Sequence, residues 1–185
     1  MTKTEARKLA KSRRAAVDLY TVGHAMAGVL FTLPAWCSAD TVLAFASMPD
    51  EPDTAEILQQ TLADGKRLLL PRVLSRTEMD WVEISSLSQL RPGAYGILEA
   101  PANPPAFDTA ALDGGALALI PCLAASPDGV RLGRGGGYYD RFLAHYKGRR
   151  LLVCPTAALL DDLPCESWDV RFARQEILTE KGTLL

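Results

Sequence analysis

The segment from residue 116 to residue 154, ALALIPCLAASPDGVRLGRGGGYYDRFLAHYKGRRLLVC, contains the pattern that decides the fold. It begins with an apolar run at 116–120, passes through a glycine-rich loop into a predicted helix at 138–146, and ends in a second apolar run at 150–154. Short apolar runs that alternate with helices are typical of parallel strands buried on both faces. The segment therefore predicts a strand, a loop, a helix and a parallel strand in that order.

The rest of the chain extends this pattern in both directions. Residues 85–113 are rich in proline and glycine, and they are predicted to form an ordered loop with short strands. We predict one domain over residues 1–185 with an α/β fold, a three-layer Rossmann-like arrangement whose largely parallel sheet carries helices on both faces. The further strands are predicted at 41–46, 67–71, 80–84 and 176–179, and the further helices at 3–31 and 52–63.

Composition excludes several classes of protein. The 185 residues carry 20 Lys and Arg against 22 Asp and Glu, a formal net charge of −2, so no excess positive charge is available for a nucleic-acid backbone. No apolar run approaches the roughly 20 residues of a bilayer-spanning helix, and the N-terminus lacks the apolar core of a secretory signal. Four cysteines show neither zinc-site spacing nor the density of a disulfide framework. We expect a cytoplasmic protein with reduced thiols and no nucleic-acid or membrane partner.

The first predicted helix is strongly basic near its start. Cations near the start of a helix oppose its macrodipole and lower its stability, so the position of this cluster needs an explanation. One interpretation is a solvated basic face, and the other is an arm that reaches an anion. The residues concerned are Lys3, Arg7, Lys8, Lys11, Arg13 and Arg14.

The loop at 131–141, RLGRGGGYYDR, predicts an anion site. Its glycines at 133 and 135–137 would break a helix or strand, but they let backbone amides turn toward one point and let a bulky anion approach closely. The amides of the following helix add to such a site. Arg131 and Arg134 bring charges that suit phosphate, and Asp140 supplies a carboxylate of the kind that holds Mg²⁺ beside phosphates.

Two familiar phosphate loops do not fit this segment. A Walker A loop requires Gly-Lys-Ser/Thr, and the loop contains neither Lys nor Ser/Thr. A dinucleotide fingerprint that starts at Gly133 requires a glycine at position 138, where Tyr138 stands. A flexible surface loop remains the structural alternative, although two arginines, two tyrosines and an acid flank the glycines.

The candidate residues follow predicted strands. The segments 47–51, 121–139 and 155–169 each come after an apolar run. In open, largely parallel sheets, ligands bind outside the carboxyl ends of the strands. We therefore expect these three segments to meet at one edge of the sheet.

The glycine loop closely resembles the signature of the 5-formyltetrahydrofolate cyclo-ligase family, also called methenyltetrahydrofolate synthetases. The matching stretch is RLGRGGGYYDRFL at 131–143, preceded by LIPCLA at 119–124. Shorter matches follow the family's order, so the resemblance covers nearly the whole chain. They are Lys3-x-x-x-Arg7, Ser47-Met-Pro-Asp-Glu51-x-x-Thr54, the segment 65–72, and Trp168-Asp169.

The resemblance implies an ATP-dependent ligase that forms a C–N bond. Such an enzyme turns 5-formyltetrahydrofolate, with or without a polyglutamate tail, into 5,10-methenyltetrahydrofolate and releases ADP and phosphate. ATP would phosphorylate the formyl oxygen, N10 would attack the activated carbon, and phosphate would leave. ATP as cosubstrate and Mg²⁺ are the implied cofactors, and a monomer is expected.

The resemblance also implies roles for individual residues. Asp140 and Asp169 would bind Mg²⁺, and Arg134, Tyr138 and Tyr139 would act at the reacting groups. The substrate site would consist of Ala46, Glu51, Met79 and Tyr95 with Arg134, Gly135, Gly136, Gly137 and Tyr138. The nucleotide site would consist of Lys3, Arg7, Arg131, Leu132, Gly133, Arg134, Gly135, Gly136, Gly137, Tyr138 and Tyr139.

Several positions depart from the family pattern or have ordinary explanations. The family usually has Gly where Cys122 stands and Phe-Asp where Ala125 and Ser126 stand, which points to a changed substrate pocket. Met79 and Tyr95 are as compatible with core or loop packing, and Glu51 with an acid at a helix start. Two other functions stay open: a paralogue that acts on a different amide or formyl compound, and a nucleotide-binding module without turnover.

Overall fold

The computed structural model describes residues 1–93, 98–112, 114–166 and 169–184, and this part of the chain forms five α-helices and eleven β-strands. The helices are α1 (Lys3–Ala15), α2 (Leu19–Thr32), α3 (Pro34–Cys37), α4 (Ala55–Ala63) and α5 (Tyr138–His145). The strands are β1 (Thr41–Leu43), β2 (Arg67–Val73), β3 (Met79–Ile84), β4 (Arg91–Pro92), β5 (Leu98–Glu99), β6 (Ala116–Pro121), β7 (Ala124–Ala125), β8 (Arg131–Leu132), β9 (Arg149–Val153), β10 (Ile177–Thr179) and β11 (Gly182–Thr183).

Seven of the strands form one mixed sheet in the order β11-β10-β9-β6-β1-β2-β3. The five central strands are parallel, and β3 and β11 pair antiparallel at the two edges. In the centre, Val42 lies opposite Leu68 on one side and Leu117 on the other. The prediction of a largely parallel sheet is confirmed. The pairs β4–β5 and β7–β8 form separate short antiparallel ladders.

Helices cover both faces of this sheet. Successive strand residues point to opposite sides, so the apolar strands present a hydrophobic surface on each face. On one face, Leu30 of α2 and Ile57 of α4 pack with Val42 and its neighbours. On the other face, Leu143 of α5 packs with Leu43 and the residues that share its orientation. Burial of these apolar surfaces drives the assembly, and the three-layer prediction is confirmed.

The prediction of a single helix over residues 3–31 is wrong. The chain leaves helical geometry after Ala15, and Asp18 begins α2 by accepting a hydrogen bond from the Tyr20 amide at 3.1 Å. An aspartate in this role starts a helix independently of the periodicity around it. Two other predicted elements are too long, since α4 begins at Ala55 rather than 52 and β1 ends at Leu43 rather than 46.

The first two helices also bear on membrane insertion. Among the described residues, no single helix combines the length and apolarity needed to cross a bilayer. Helices α1 and α2 meet those criteria only as a pair, and they are bent by 92° relative to each other.

All four cysteines are free thiols. Cys122 and Cys154 are buried at the ends of β6 and β9, while Cys37 and Cys165 are exposed.

Candidate functional site

The segments that follow the parallel strands meet at one edge of the sheet, as expected. Arg134 from the glycine loop reaches Glu51, which follows β1, with its Nη2 at 3.0 Å from Glu51 Oε1. The same guanidinium pairs with Asp50. Lys3 at the start of α1 reaches Asp169 near the chain's end, with 2.9 Å between Nζ and Oδ2. The carboxyl edge of the sheet is thus the candidate site.

The glycine loop needs its glycines for backbone geometry. Gly135 has a φ of +103° and Gly137 a φ of +69°, both in the region that favours residues without Cβ. A Cβ on Gly135 would lie 3.4 Å from Arg7 Nη2. Gly137 is also the N-cap of α5 and offers no side-chain cap, so the first amides of α5 are available to a ligand.

A cavity of 490 Å³ opens beside this loop, and we call it the loop cavity. The start of α1, strand β8, the glycines and the first turns of α5 line it. Most of the residues expected to contact a nucleotide or metal lie on its wall. They are Lys3, Arg7, Arg131, Leu132, Gly133, Gly135, Gly137, Asp140 and Asp169.

The cations of the loop cavity are held by protein oxygens. Lys3 Nζ contacts Glu166 Oε2 at 2.6 Å as well as Asp169, and Arg131 Nη1 contacts Asp140 Oδ1 at 3.0 Å. Burial lowers the pKa of Lys3, but hydrogen bonds to Glu166 and Asp169 outweigh it and raise that pKa above its ordinary value. Each carboxylate expected to bind metal is therefore paired with a cation expected to bind phosphate.

Arg7 joins the first helix to the loop. Its Nε donates to the Gly133 carbonyl at 3.1 Å. Helix α1 begins with a capping box in which Thr2 and Glu5 bond each other's backbone, and this offsets the unfavourable position of the cations. Lys3 and Arg7 line the loop cavity and contact distant segments of the chain. Lys8 and Lys11 remain exposed.

The donor set in the loop cavity fits a metal that binds together with a nucleotide. Among the described residues, no group of three or more His, Cys, Asp or Glu could hold a metal ion. Mg²⁺ is commonly held by one or two carboxylates, with phosphate oxygens and water completing its shell. Asp140 and Asp169 line the same cavity and match that arrangement.

A second cavity, the strand-end cavity, has a volume of 230 Å³ and a largely apolar wall. Ala46 and Met79 line it, as expected, together with Phe45 and Leu70. Glu51 is its buried acid, only 7% exposed, and Glu51 Oε2 accepts from the Met48 amide at 3.0 Å. Glu51 is therefore more than an acid at a helix start, since α4 begins four positions later.

A 150 Å³ junction cavity contains residues of both neighbouring cavities. Arg134, Tyr138 and Tyr139 line it with Gly136, Glu51 and Asp140. Burial, with a contribution from Glu51, raises the pKa of the Tyr139 hydroxyl, so this hydroxyl keeps its proton at neutral pH. The residues expected to act on the reacting groups thus lie between the loop cavity and the strand-end cavity.

Some expected residues cannot be placed, and some contacts were missed by sequence reasoning. Tyr95 and Trp168 lie outside the described residues. Asp50 and Glu166, both bound to site cations, were missed because their partners are distant in the chain. Arg14 belongs to the basic cluster for which a solvated face or an anion-binding arm was expected, yet it is 1% exposed. It shares one helix face with Ala6 and Ala10, at intervals of four residues, but only the structure shows that this face is buried.

Comparisons with known proteins show which family the chain resembles. A model of the 5-formyltetrahydrofolate cyclo-ligase family matches residues 2–180. The 5-formyltetrahydrofolate cyclo-ligase of Mycolicibacterium smegmatis is 32% identical over 78% of this chain and 75% of its own length. The enzyme of that name from Escherichia coli K12 is 30% identical over 80% of this chain and 84% of its own length.

Two solved structures have the same fold. The 5,10-methenyltetrahydrofolate synthetase of Aquifex aeolicus superposes with a TM-score of 0.82 at 27% identity and covers 99% of this chain and 92% of that one. The 5,10-methenyltetrahydrofolate synthetase of Mycoplasma pneumoniae gives a TM-score of 0.73 at 19% identity, with 97% and 99% coverage, which is a likeness of fold.

Proposed function

Because the chain belongs to the 5-formyltetrahydrofolate cyclo-ligase family, we propose that it converts 5-formyltetrahydrofolate and ATP into 5,10-methenyltetrahydrofolate, ADP and phosphate. The observation that carries the proposal is the position of Arg134. It belongs to the glycine loop, yet its guanidinium lies 3.0 Å from Glu51 in the strand-end cavity. Arg134 also lines the junction cavity, while its neighbours Gly133 and Gly135 line the loop cavity. The loop that borders a site suited to phosphates therefore also extends one side chain into a site suited to a flat ring.

The loop cavity is the proposed nucleotide site. Lys3, Arg7 and Arg131 would neutralise phosphate oxygens, and the first amides of α5 would donate to them. Asp140 and Asp169 would hold Mg²⁺, which neutralises charge on transferring phosphates when it is bound. Lys3 pairs with Asp169, and Arg131 pairs with Asp140. When nucleotide and metal bind, phosphate oxygens could become the partners of the two cations, and Mg²⁺ could become the partner of the two carboxylates. No charge would then be left unpaired.

The strand-end cavity is the proposed folate site. Its apolar walls, including Phe45, Leu70 and Met79, suit the faces of a pterin ring. The buried carboxylate of Glu51 suits the ring's nitrogen donors. Its burial excludes competing water, which strengthens each such hydrogen bond.

The reaction then requires the formyl oxygen and the γ-phosphate to meet in the junction cavity. The formyl oxygen attacks the γ-phosphorus and ADP leaves. N10 then attacks the formyl carbon and releases its proton to solvent, and the original formyl oxygen departs as part of phosphate. Arg134 would stabilise the negative charge on the transferring group, and Tyr139, which keeps its proton, would act as a neutral donor. Most of the protein's contribution is positioning and charge neutralisation.

We further propose that the enzyme acts as a monomer in the cytoplasm, on folates with or without a polyglutamate tail.

A second candidate is an activity on another N-formyl compound. Cys122 favours it, because this residue lines the junction cavity at a position where the family pattern usually has glycine. Its thiol donates to the Val153 carbonyl at 3.4 Å, so the second candidate rests on the position of this residue beside the cavity.

The test is formation of the methenyl chromophore and of ADP by the purified protein. We expect both products in equal amounts with 5-formyltetrahydrofolate, ATP and Mg²⁺, and neither when any one is omitted. ADP formation with a different N-formyl substrate, and not with 5-formyltetrahydrofolate, would establish the second candidate. Binding of ATP without ADP formation in either case would leave a nucleotide-binding module and overturn both candidates.

A further inference from the structure

Arg14 is a buried cation behind the candidate site. Its side chain, in the last turn of α1, is 1% exposed. Its Nε donates to the Leu123 carbonyl at 2.9 Å, its Nη1 to the Asp50 carbonyl at 2.7 Å, and its Nη2 to the Cys122 carbonyl. In the described part of the chain no carboxylate forms an ion pair with it. All three of its bonds therefore go to the backbone.

These carbonyls belong to two segments that border the junction cavity. Asp50 immediately precedes Glu51 in the segment after β1, and its side chain pairs with Arg134. Both Glu51 and Arg134 line the junction cavity. Cys122 and Leu123 follow β6, line the same cavity, and lead toward the glycine loop. The Arg14 guanidinium thus bridges the segment that carries the folate-side acid and the segment that precedes the phosphate loop.

The position of Arg14 on its helix adds to this arrangement. Lys3, Arg7 and Arg14 are separated by four and seven residues, so they lie along one face of α1. The first two contact the loop cavity, and the third lies behind the junction cavity. One rigid helix therefore contacts the proposed nucleotide site at its start and the backbone of the proposed reaction site at its end.

Burial of a guanidinium is costly unless its donors are hydrogen-bonded. Ala6 and Ala10 on the same stripe are fully buried without polar groups, and a buried charge is often replaceable by an apolar side chain without loss of stability. An apolar side chain cannot hold three backbone carbonyls in place. The planar guanidinium of arginine can, because it donates several hydrogen bonds in a fixed geometry. The arrangement points to a geometric role.

We infer that Arg14 is a positioning residue that holds the Asp50–Glu51 backbone against the Cys122–Leu123 backbone and so sets the width of the junction cavity. The inference rests on the proposed function, because it concerns the separation between the formyl oxygen and the γ-phosphate. Arg14 itself touches neither group. A displacement of about 1 Å between reacting groups can lower a rate by about 100-fold.

The experiment compares Arg14→Lys with Arg13→Lys. Lysine keeps the charge at position 14 but has no planar fork, so we expect kcat to fall about 10- to 100-fold. The KM for ATP should stay within about threefold, because Lys3 and Arg7 keep their own contacts. Arg13 is the exposed neighbour and bonds a single carbonyl, that of Leu159, so Arg13→Lys should keep wild-type kinetics.

Two further measurements separate positioning from simple stabilisation. Guanidinium at low millimolar concentration should restore part of the activity of Arg14→Ala, whereas the same concentration of sodium chloride should not. The melting temperature of each variant is recorded, and rates are measured well below it. A lowered melting temperature with kcat within threefold of wild type, or loss of folding in both Arg14 variants, would show a structural role and overturn the inference.

The outcomes also distinguish this inference from the proposed function. If wild type and Arg13→Lys form the methenyl product and Arg14→Lys forms it equally fast, only the inference fails. If wild type forms no product, the proposed function fails and the inference fails with it.

Discussion

The loop cavity and the strand-end cavity each share wall residues with the junction cavity, but they are built in different ways. The loop cavity is closed by contacts between residues far apart in the chain, such as Lys3 with Asp169 and Arg7 with Gly133. The strand-end cavity continues the hydrophobic core, because Phe45 and Leu70 belong both to its wall and to the cluster that packs one face of the sheet. One wall is thus made of charge pairs and the other of core side chains.

Because the two walls differ in this way, substitutions in the two cavities should affect the stability of the protein differently. Partly exposed ion pairs contribute little to the stability of a fold, so charges in the loop cavity can change without unfolding the protein. Buried apolar side chains contribute about 25 cal/mol per Å² of buried apolar area, so changes in the strand-end cavity affect folding and binding together. We expect charge substitutions in the loop cavity to change kinetics with little effect on melting temperature.

The largest effect is expected for Asp140→Asn. The asparagine keeps the size of the side chain but loses the charge that would hold Mg²⁺ near the phosphates, so kcat/KM should fall at least about 100-fold. The concentration of Mg²⁺ for half-maximal rate should rise. Steady-state kinetics with a Mg²⁺ titration measures both quantities.

A matched change elsewhere controls for the loss of a carboxylate. Glu83→Gln also removes an acid from an ion pair with arginine, but on β3 and facing solvent with Arg67, and it should keep wild-type activity. If Asp140→Asn were fully active with wild-type Mg²⁺ dependence, Asp140 would have no part in the mechanism and would be a helix acid, whose loss costs about 0.3–1 kcal/mol of stability.

Glu51→Gln tests the strand-end cavity. The amide replaces an acceptor oxygen with a donor, and a hydrogen bond to a charged group contributes about 1.5–3 kcal/mol, so the affinity for 5-formyltetrahydrofolate should fall about 10- to 100-fold. Binding of a nonhydrolysable ATP analogue should not change, because Asp50 still pairs with Arg134. Calorimetric titration of each ligand separates the two effects.

The control for Glu51→Gln is Glu56→Gln, an exposed acid on α4 whose partner is His24. This variant should bind both ligands normally. An equal loss of affinity for the ATP analogue in Glu51→Gln would assign Glu51 to the nucleotide side and contradict its proposed role.

Lys3→Gln should have a smaller effect, an increase of about tenfold in the KM for ATP, since one charge-assisted contact is lost. Substitution is preferable to removal of residues 1–8, because Ala6 is fully buried in a cluster with Leu123 and Leu132. Lys8→Gln changes an exposed lysine of the same helix and should have no effect. An unchanged KM for Lys3→Gln would support the solvated-face interpretation of the basic helix.

Much of the fold could be predicted because its signals are local. The apolar runs became the parallel strands, and the glycines at 133 and 135–137 fixed the loop between β8 and α5. The break between α1 and α2 was missed, because one capping side chain, Asp18, outweighs a helical periodicity that continues across it.

The candidate site was less predictable, because its contacts depend on tertiary structure. Arg13 and Arg14 are adjacent and chemically identical, yet the first is exposed and the second is 1% exposed. Only the rotation of α1 against the β7–β8 ladder and the segment around Leu160 decides which of them enters the interior. The pairing of Lys3 with Asp169 likewise joins the two ends of the chain, and no local pattern encodes it.

The smallest effect is expected for Tyr138→Phe. This variant tests whether Tyr138 only forms part of the cavity wall or whether its hydroxyl also takes part in the reaction. The Tyr138 ring lines both the strand-end and junction cavities, while its hydroxyl donates to the Ser75 carbonyl at 2.8 Å, away from the acids of the site. Phenylalanine keeps the ring and loses one hydrogen bond worth about 0.5–1.5 kcal/mol. The KM for 5-formyltetrahydrofolate should therefore rise about two- to tenfold, with kcat and the KM for ATP nearly unchanged. Tyr20→Phe, in which the hydroxyl removed belongs to a 71% exposed residue, should behave as wild type in the same assay. A fall in kcat of about 100-fold in Tyr138→Phe would mean that the hydroxyl turns from Ser75 toward the substrates during the reaction and acts on the transferring group.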